Sequence, residues 1–136
     1  MNKYKVCVYA ISKNEEKFVL RWVNSMKEAD EIYVLDTGST DKTIELLKDL
    51  NVHVQSKKIN PWRFDVARNE SLKLVPNDCD ICVCTDLDEV FTPGWRQKLE
   101  NVWDKDTTNL AYNYNWKLDE DDKPEVNFYI EKIHNR

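Results

Sequence analysis

The sequence predicts an α/β fold of three layers, in which helices cover both faces of a doubly wound, mostly parallel β-sheet. Short β-branched runs alternate with amphipathic helical segments over the first hundred or so residues, which is the pattern of parallel strands joined by helices. Residues 80–85 form a near-continuous apolar run, as expected for a strand that is buried on both faces. Residues 110–118 instead alternate strictly between apolar and polar side chains, which predicts a C-terminal antiparallel hairpin.

The first half of the chain predicts three strands that alternate with three helices. The strands are short and rich in β-branched or apolar residues, whereas the helices carry apolar side chains at helical spacing. Ser12 and Asn14, which follow the first strand, are candidate helix caps. The predicted strands are 5–11, 31–35 and 52–55, and the predicted helices are 15–28, a segment marked by Ile44, Leu47 and Leu50, and 64–74.

The second half adds one parallel strand, one helix and the hairpin. The helix follows Thr92 and Pro93, a favourable start because proline fits the first helical turn. We expect the hairpin to cover part of the sheet and to leave apolar surface exposed where further sequence would pack. The predicted elements are a strand at 80–85, a helix marked by Trp95, Leu99, Val102 and Trp103, strands at 110–118 and 126–133, and an acidic turn at 119–122.

Length and composition indicate a single domain over residues 1–136. A chain of this length fits one core, and its two glycines and four prolines argue against a disordered or collagen-like chain. The net charge of -5 argues against a nucleic-acid partner, because nucleic-acid-binding domains concentrate Lys and Arg on one face. The apolar run 6–11 is about a third of a membrane span. We therefore expect no transmembrane segment and a cytoplasmic location, with peripheral membrane association of the full-length protein left open.

The four cysteines lie in or beside apolar runs. Cys82 and Cys84 are two residues apart, so they point to the same side of a strand and do not make a CxxC redox pair. We interpret all four as small core residues in a reducing compartment, rather than as metal ligands or disulfide partners.

Polar residues follow three of the predicted strands: Asn14-Glu15-Glu16 the first, Asp36 the second, and Asp86 with Asp88 the fourth. Because the carboxyl ends of strands in such a sheet border the ligand crevice, these clusters should meet at one edge. The sequence therefore predicts one cleft formed by the loops 11–16, 36–41 and 85–89.

Asp86 and Asp88 have the chemistry of a cation site. Two carboxylates two residues apart, on a chain that leaves a buried strand, can share one Mg²⁺ or Mn²⁺ ion. Such an ion could neutralise a diphosphate leaving group. The alternative is a solvated acidic loop that caps the next helix. In the same way, Asp36 could build only a local turn, and Arg68 could be only a solvated charge on its helix.

Four segments occur in order along the strand–helix alternation: Lys13-Asn14-Glu15-Glu16, the run 34–43, Ala67-Arg68-Asn69 and Thr85-Asp86-Leu87-Asp88-Glu89. Together they resemble the ordered signatures of family 2 glycosyltransferases. The resemblance covers residues 4–103 closely and the later hairpin loosely. It implies a Rossmann-like fold of the GT-A type, which is the fold of nucleotide-diphospho-sugar transferases.

The resemblance also implies a donor-nucleotide site. Asp36 would accept a hydrogen bond from a uracil-type base, and Arg68 would lie beside the diphosphate. Glu15 and the backbone of Ala10 and Ile11 would border the base and the ribose.

In this family the Asp-x-Asp motif, here Asp86 and Asp88, holds a divalent cation and touches the ribose. Asp88 is the expected direct metal ligand. The usual reaction is an inverting transfer of sugar from a nucleotide-diphospho-sugar, here expected to be a UDP-sugar, to a saccharide, lipid or protein acceptor.

The chain departs from the family pattern after Trp103. Members usually continue into an acceptor-binding region that carries an acidic catalytic base, and nothing after Trp103 matches that motif. Glu125 and Glu131 are acids in this part, but neither is assigned as the base. We expect the domain to be incomplete at its C-terminus, which leaves the catalytic residues unknown and a homo-oligomer open.

Two other interpretations remain. The segment Asp86-Leu87-Asp88-Glu89-Val90-Phe91 also fits the opening motif of haloacid-dehalogenase-like phosphatases, in which Asp86 would be the nucleophile and Asp88 the general acid/base. That motif normally follows the first strand, whereas here it follows the fourth. The other interpretation is a non-catalytic nucleotide-binding module with the same fold.

Overall fold

The computed structural model describes residues 4–104, 107–118 and 124–136, with side chains described outside residues 110–132. Within these ranges, four helices and six strands follow one another in the predicted order. The strands are β1 (Val6–Ser12), β2 (Glu31–Asp36), β3 (His53–Ser56), β4 (Ile81–Cys84), β5 (Asn109–Leu118) and β6 (Pro124–Asn135). The helices are α1 (Glu16–Met26), α2 (Thr43–Asp49), α3 (Phe64–Leu72) and α4 (Trp95–Val102).

The described strands form one six-stranded sheet in the order β3-β2-β1-β4-β6-β5. Its first four members are parallel, as the alternation of strands and helices predicts. From β1 the chain winds outward through β2 to β3, and it then returns to place β4 on the other side of β1. The sheet is therefore doubly wound, and its topological switch point lies between β1 and β4.

Helices cover both faces of the sheet. Val8 and Ala10 of β1 belong to a core cluster with residues of α1, α2 and α4, including Trp22, Leu47 and Leu99. Alternate residues of β1, Cys7 and Tyr9, belong to a second cluster that is joined by Leu72 of α3. The period of two along β1 thus builds the predicted three layers.

All four cysteines lie in the described part of the chain, where they are buried and form no disulfide bond. Cys7, Cys79, Cys82 and Cys84 belong to the second cluster, on the side of the sheet that faces α3. The structure thus confirms that Cys82 and Cys84 share one side of a strand and serve as core residues.

The C-terminal hairpin differs from expectation in its position. β5 and β6 are antiparallel as predicted, but β6 pairs with β4, with Val83 opposite Ile133. The hairpin therefore extends the sheet instead of covering a face, because this pairing satisfies the backbone groups of β4 that would otherwise form an open edge. The acidic turn 119–122 lies outside the described residues, as do the side chains that would test for exposed apolar surface. No helix in the described ranges is both long and apolar enough to cross a membrane.

Candidate functional site

The predicted polar clusters meet at the edge formed by the carboxyl ends of β1, β2 and β4, hereafter the carboxyl edge. Ser12 at the end of β1 lies directly opposite Asp36 at the end of β2. On the other side of β1, the backbone N–H of Thr85 donates to the carbonyl of Tyr9 at 3.2 Å. Asp36 and Asp86 therefore follow strands that end at the same edge, as predicted, although no residue of the loop 85–89 lines the cavity described below.

Asp36 is fully buried and its carboxylate organises the loop after β2. One oxygen accepts the backbone N–H groups of Gly38 at 2.9 Å and Ser39 at 2.8 Å. The other oxygen accepts the hydroxyl of Ser12 at 2.8 Å and the hydroxyl of Ser39. Since a carboxylate offers about four acceptor positions, a nucleobase could hydrogen-bond to Asp36 only by displacing one of these donors.

Asn14 joins the loop after β1 to the loop after β2. Its side-chain oxygen accepts the backbone N–H of Thr40 at 2.7 Å, and its own backbone N–H donates to the hydroxyl of Ser39 at 2.8 Å. Asn14 has a φ of 52°, a left-handed conformation that asparagine adopts more readily than most residues. The next residue, Glu15, donates its backbone N–H to the hydroxyl of Thr43 at 2.9 Å. These bonds fix the two loops as one unit.

Glu15 lies in the field of the other acids. Its pKa is raised from the ordinary value to about 7, first by burial and then by the charges of Asp88 and Asp86. The carboxylate of Asp36 also contributes, more weakly. The structure thus brings Glu15 close enough to both carboxylates of the Asp-x-Asp motif for them to influence its charge.

The Asp86–Asp88 loop is held from several sides. The Glu89 carboxylate is buried and accepts the backbone N–H of Asp86 at 2.9 Å. Just before the loop, the buried hydroxyl of Thr85 accepts the indole N–H of Trp22 at 2.8 Å. The carbonyl of Asp88 faces the guanidinium of Arg21 at 3.4 Å. The two aspartates thus stand on an anchored turn.

These carboxylates suit a divalent cation that also binds a ligand. Within the described part of the chain, no group of three or more His, Cys, Asp or Glu side chains could hold a metal ion. Mg²⁺ is commonly bound by one or two carboxylates together with substrate phosphates and water, so a closed protein cage is not required. The charges of Asp88 and Asp86 both raise the pKa of Glu15, so the negative charge of the motif extends to this neighbouring carboxyl group. The carboxylates of Asp86 and Asp88 therefore fit a divalent cation that also binds the phosphates of a ligand.

Arg68 connects α3 to the end of β4. Its guanidinium lies 3.5 Å from the Asp86 carboxylate and donates to the sulfur of Cys84, while the ring of Phe64 lies 4.8 Å from the guanidinium carbon. The Arg68 side chain is only 19% exposed, so it is not a freely solvated charge. It lies where it could stabilise an anion bound beside Asp86.

A cavity of about 440 Å³ lies at the carboxyl edge, among the segments that follow β1, β2 and β3. Of the predicted base and ribose contacts, Ile11 and Glu15 line it, whereas Ala10 is fully buried in the core and could contribute only its backbone. Ser12, Lys13 and Thr37 belong to the predicted cleft loops 11–16 and 36–41, whereas the wall segment after β3 was not predicted. The lining comprises Ile11, Ser12, Lys13 and Glu15 from the end of β1, Thr37 after β2, and Lys58, Ile59 and Trp62 after β3.

Both histidines contact a tyrosine side chain. The ring of His53 stacks on Tyr33 with centroids 4.8 Å apart. The Nε2 atom of His134 shares a hydrogen bond of 2.8 Å with the Tyr9 hydroxyl. The side chains of Glu125 and Glu131 lie outside the described set, and the catalytic base stays unassigned.

The raised pKa of Glu15 gives a prediction for stability. A carboxyl whose pKa is higher in the folded chain than in the unfolded chain destabilises the fold as it ionises. The unfolding free energy of the metal-free protein should therefore fall, relative to that of Glu15→Gln, as the pH rises from about 4.5 to about 7, by on the order of 2 kcal/mol. Mg²⁺ should reduce this difference, because it offsets the charges of Asp88 and Asp86. Urea titrations at several pH values will measure it, and parallel pH curves for the two proteins would contradict it.

Comparison with known proteins decides the family. The profile described as Glycosyl transferase family 2 matches residues 7–132. The chain belongs to glycosyltransferase family 2. The chain is 29% identical over 115 residues to an uncharacterized glycosyltransferase of Rickettsia bellii, and 29% identical over 116 residues to one of Rickettsia typhi. Each alignment covers 84% of this chain but 38% of the relative, so the chain spans well under half the length of these proteins.

Solved structures show the same GT-A fold. A mannosyltransferase from Pyrobaculum calidifontis, in complex with GDP-Man and Mn²⁺, superposes with a TM-score of 0.62 at 19% identity, over 80% of this chain and 35% of that one. Staphylococcus aureus TarS, residues 1–349, gives a TM-score of 0.62 at 23% identity, over 71% of this chain and 31% of that one. Glucosyl-3-phosphoglycerate synthase from Mycobacterium tuberculosis, in complex with Mn²⁺, UDP and glucosyl-3-phosphoglycerate, gives a TM-score of 0.52 at 26% identity. This match covers 62% of this chain and 33% of the synthase.

Membership of glycosyltransferase family 2 favours glycosyl transfer over the phosphatase interpretation of Asp86 and Asp88. The topology agrees, because the motif follows β4 at the switch point and not the first strand. The individual roles of Ala10, Ile11, Glu15, Asp36, Arg68, Asp86 and Asp88 remain predictions.

Proposed function

We propose that this family 2 chain forms the donor site of a metal-dependent, inverting glycosyltransferase that uses a nucleoside-diphosphate-sugar, with a UDP-sugar as the expected donor. The observation that carries the proposal is the placement of Arg68 beside the Asp86–Asp88 turn at the β1/β4 switch point. Ligands bind at this position in open α/β sheets. The complexes of two similar proteins with UDP or GDP-Man and Mn²⁺ support the same class of donor.

Charge balance at the carboxyl edge supports the metal dependence. A nucleoside diphosphate carries two or more negative charges, and it would approach Asp86, Asp88 and Glu15. Arg68 supplies one positive charge, and Asp86 already pairs with it. Arg21 reaches only the carbonyl of Asp88, and Lys13 and Lys58 line the cavity instead of the turn, so the cations nearest Asp86 and Asp88 only partly offset a diphosphate. A divalent cation held by Asp86 and Asp88, with Asp88 as its direct ligand, would supply the missing charge.

Different parts of the site would bind different parts of the donor. The cavity would hold the nucleoside, and the anchored Asp86–Asp88 turn would orient the diphosphate. In an inverting transfer the acceptor hydroxyl forms a bond to the anomeric carbon while the bond from that carbon to the phosphate oxygen breaks. Arg68 would stabilise the charge that develops on the leaving phosphate, which is commonly a large contribution to catalysis. The acceptor's proton would pass to a base that the described side chains do not identify.

The test is the metal dependence of nucleotide binding. By calorimetry, UDP should bind about tenfold or more tightly with Mn²⁺ than with EDTA, because the cation reverses the sign of the local charge. Asp88→Ala should abolish most of this difference. GDP is measured in parallel, because one of the similar proteins was solved with GDP-Man.

Asp78→Ala is the matched control. The Asp78 side chain is 71% exposed and pairs with Lys5, next to the start of β1 and so at the opposite edge of the sheet. This variant should keep the full effect of Mn²⁺. The proposal is wrong if Mn²⁺ leaves the affinity of the unmodified chain unchanged and Asp88→Ala binds as tightly as the unmodified chain.

A further inference from the structure

The segment between β3 and α3 forms the cavity wall that no motif explains. Lys58, Ile59 and Trp62 lie in this segment and line the cavity beside Ile11 of β1. Trp62 is 55% exposed, although its side chain is among the largest apolar ones of the protein. By contrast, Trp22 is fully buried. An exposed tryptophan on the wall of a cavity indicates a surface for a flat or apolar ligand group.

The position of the cavity indicates which part of a donor would enter it. Asp86, Asp88 and Arg68 do not line the cavity, which opens on the side of β2 and β3. If the diphosphate binds at Asp86 and Asp88, then only one end of the elongated donor can reach Trp62. The walls offered by Ile11, Ile59 and Trp62 are apolar, which suits the face of a nucleobase better than a sugar whose hydroxyls all need partners.

We propose that Trp62 is a nucleobase-stacking residue, which holds the base of the donor nucleotide in the cavity. The inference rests on the proposed donor site and adds to it a residue that determines affinity for the nucleoside. Stacking on an aromatic ring tolerates different bases, because each base has a π face. Trp62 therefore contributes affinity for the nucleoside, while selection among bases falls to the polar groups around the cavity.

The experiment separates the nucleoside from the phosphates. UMP, UDP and inorganic pyrophosphate are titrated by calorimetry into the unmodified chain and the Trp62→Ala, Trp62→Leu and Trp62→Phe variants, all with Mn²⁺. Trp62→Ala should weaken UMP and UDP alike, by about 5- to 150-fold, and leave pyrophosphate binding unchanged. Trp62→Phe should retain most of the affinity. Trp62→Leu should not, because it keeps an apolar side chain without a ring.

A second measurement and a control guard against indirect effects. UMP should quench tryptophan fluorescence in a Trp116→Phe variant but not in the Trp62→Phe/Trp116→Phe double variant, since the remaining residues Trp22, Trp95 and Trp103 are all less than about a tenth exposed. Val102→Ala, which alters an equally exposed apolar side chain on α4, should bind UDP like the unmodified chain.

The outcomes distinguish this inference from the proposed function. Unchanged UMP and UDP binding in Trp62→Ala would overturn the stacking role and leave the donor site intact. Loss of pyrophosphate binding to the same degree as UMP binding would also overturn it, because the effect would then not concern the base. Failure of the unmodified chain to bind UDP or GDP with Mn²⁺ would overturn the donor site itself, and the stacking role with it.

Discussion

Replacing Arg96 by alanine should lower the free energy of unfolding by about 3 to 5 kcal/mol. Arg96 is only 6% exposed. Its guanidinium donates to the carbonyls of Tyr4 at 2.7 Å and Glu28 at 2.8 Å, and it pairs with the carboxylates of Asp30 and Glu100, each at 3.0 Å. Alanine would leave two carbonyls without this donor and two carboxylates without their cation, and of these carboxylates that of Glu100 is only 11% exposed.

Urea denaturation with an unchanged m-value will measure the loss. The matched control is Arg63→Ala, because Arg63 also pairs with an aspartate, Asp65, but both side chains are 63% exposed. Its cost should be below about 1 kcal/mol. Arg96→Lys should fall between the two, since an ammonium group keeps the charge but not the planar fork that reaches several acceptors. Equal effects of Arg96→Ala and Arg63→Ala would show that the buried network contributes little.

Arg96 also illustrates what sequence periodicity does not reveal. Trp95, Leu99, Val102 and Trp103 mark α4 as amphipathic, and Arg96 falls outside this apolar set, where a solvated charge is the ordinary interpretation. It is buried because α4 packs beside the start of β1 and β2, where backbone carbonyls and Asp30 converge. Such a convergence depends on how distant segments meet, with Tyr4 and Arg96 far apart along the chain. One sequence does not encode it as a local pattern.

The candidate site also has features that could be predicted from the sequence and features that could not. The strand-end position of Asp36, Asp86 and Asp88 could be predicted, because it follows from strand order and from the rule that such loops share an edge. The hairpin's pairing with β4 could not, because the alternation at 110–118 shows that one face is buried but not which strand lies alongside. Trp62 was also missed, since it belongs to a segment with neither helical nor strand periodicity. Only its exposure beside a cavity distinguishes it.

Replacing Asp36 by alanine should both destabilise the chain and weaken nucleotide binding. The carboxylate is fully buried and accepts four hydrogen bonds, from Ser12, Gly38 and Ser39. Their loss should lower the free energy of unfolding by about 3 kcal/mol, because buried donors are left unsatisfied. UDP affinity should fall by about 1 to 3 kcal/mol with Mn²⁺ and with EDTA alike, because the loops that border the cavity lose their shape. Calorimetry and urea denaturation will measure the two effects.

Two further variants decide how Asp36 acts on the nucleotide. Asp36→Asn keeps one side-chain oxygen for the backbone N–H groups of Gly38 and Ser39, so it should bind UDP nearly as well as the unmodified chain. Ser39→Ala removes a hydroxyl that donates to Asp36 and accepts the backbone N–H of Asn14. It should therefore weaken UDP binding without altering Asp36 itself. The opposite pattern, with Asp36→Asn as damaging as alanine and Ser39→Ala without effect, would show that the carboxylate binds the base directly and that its role in the loop is secondary.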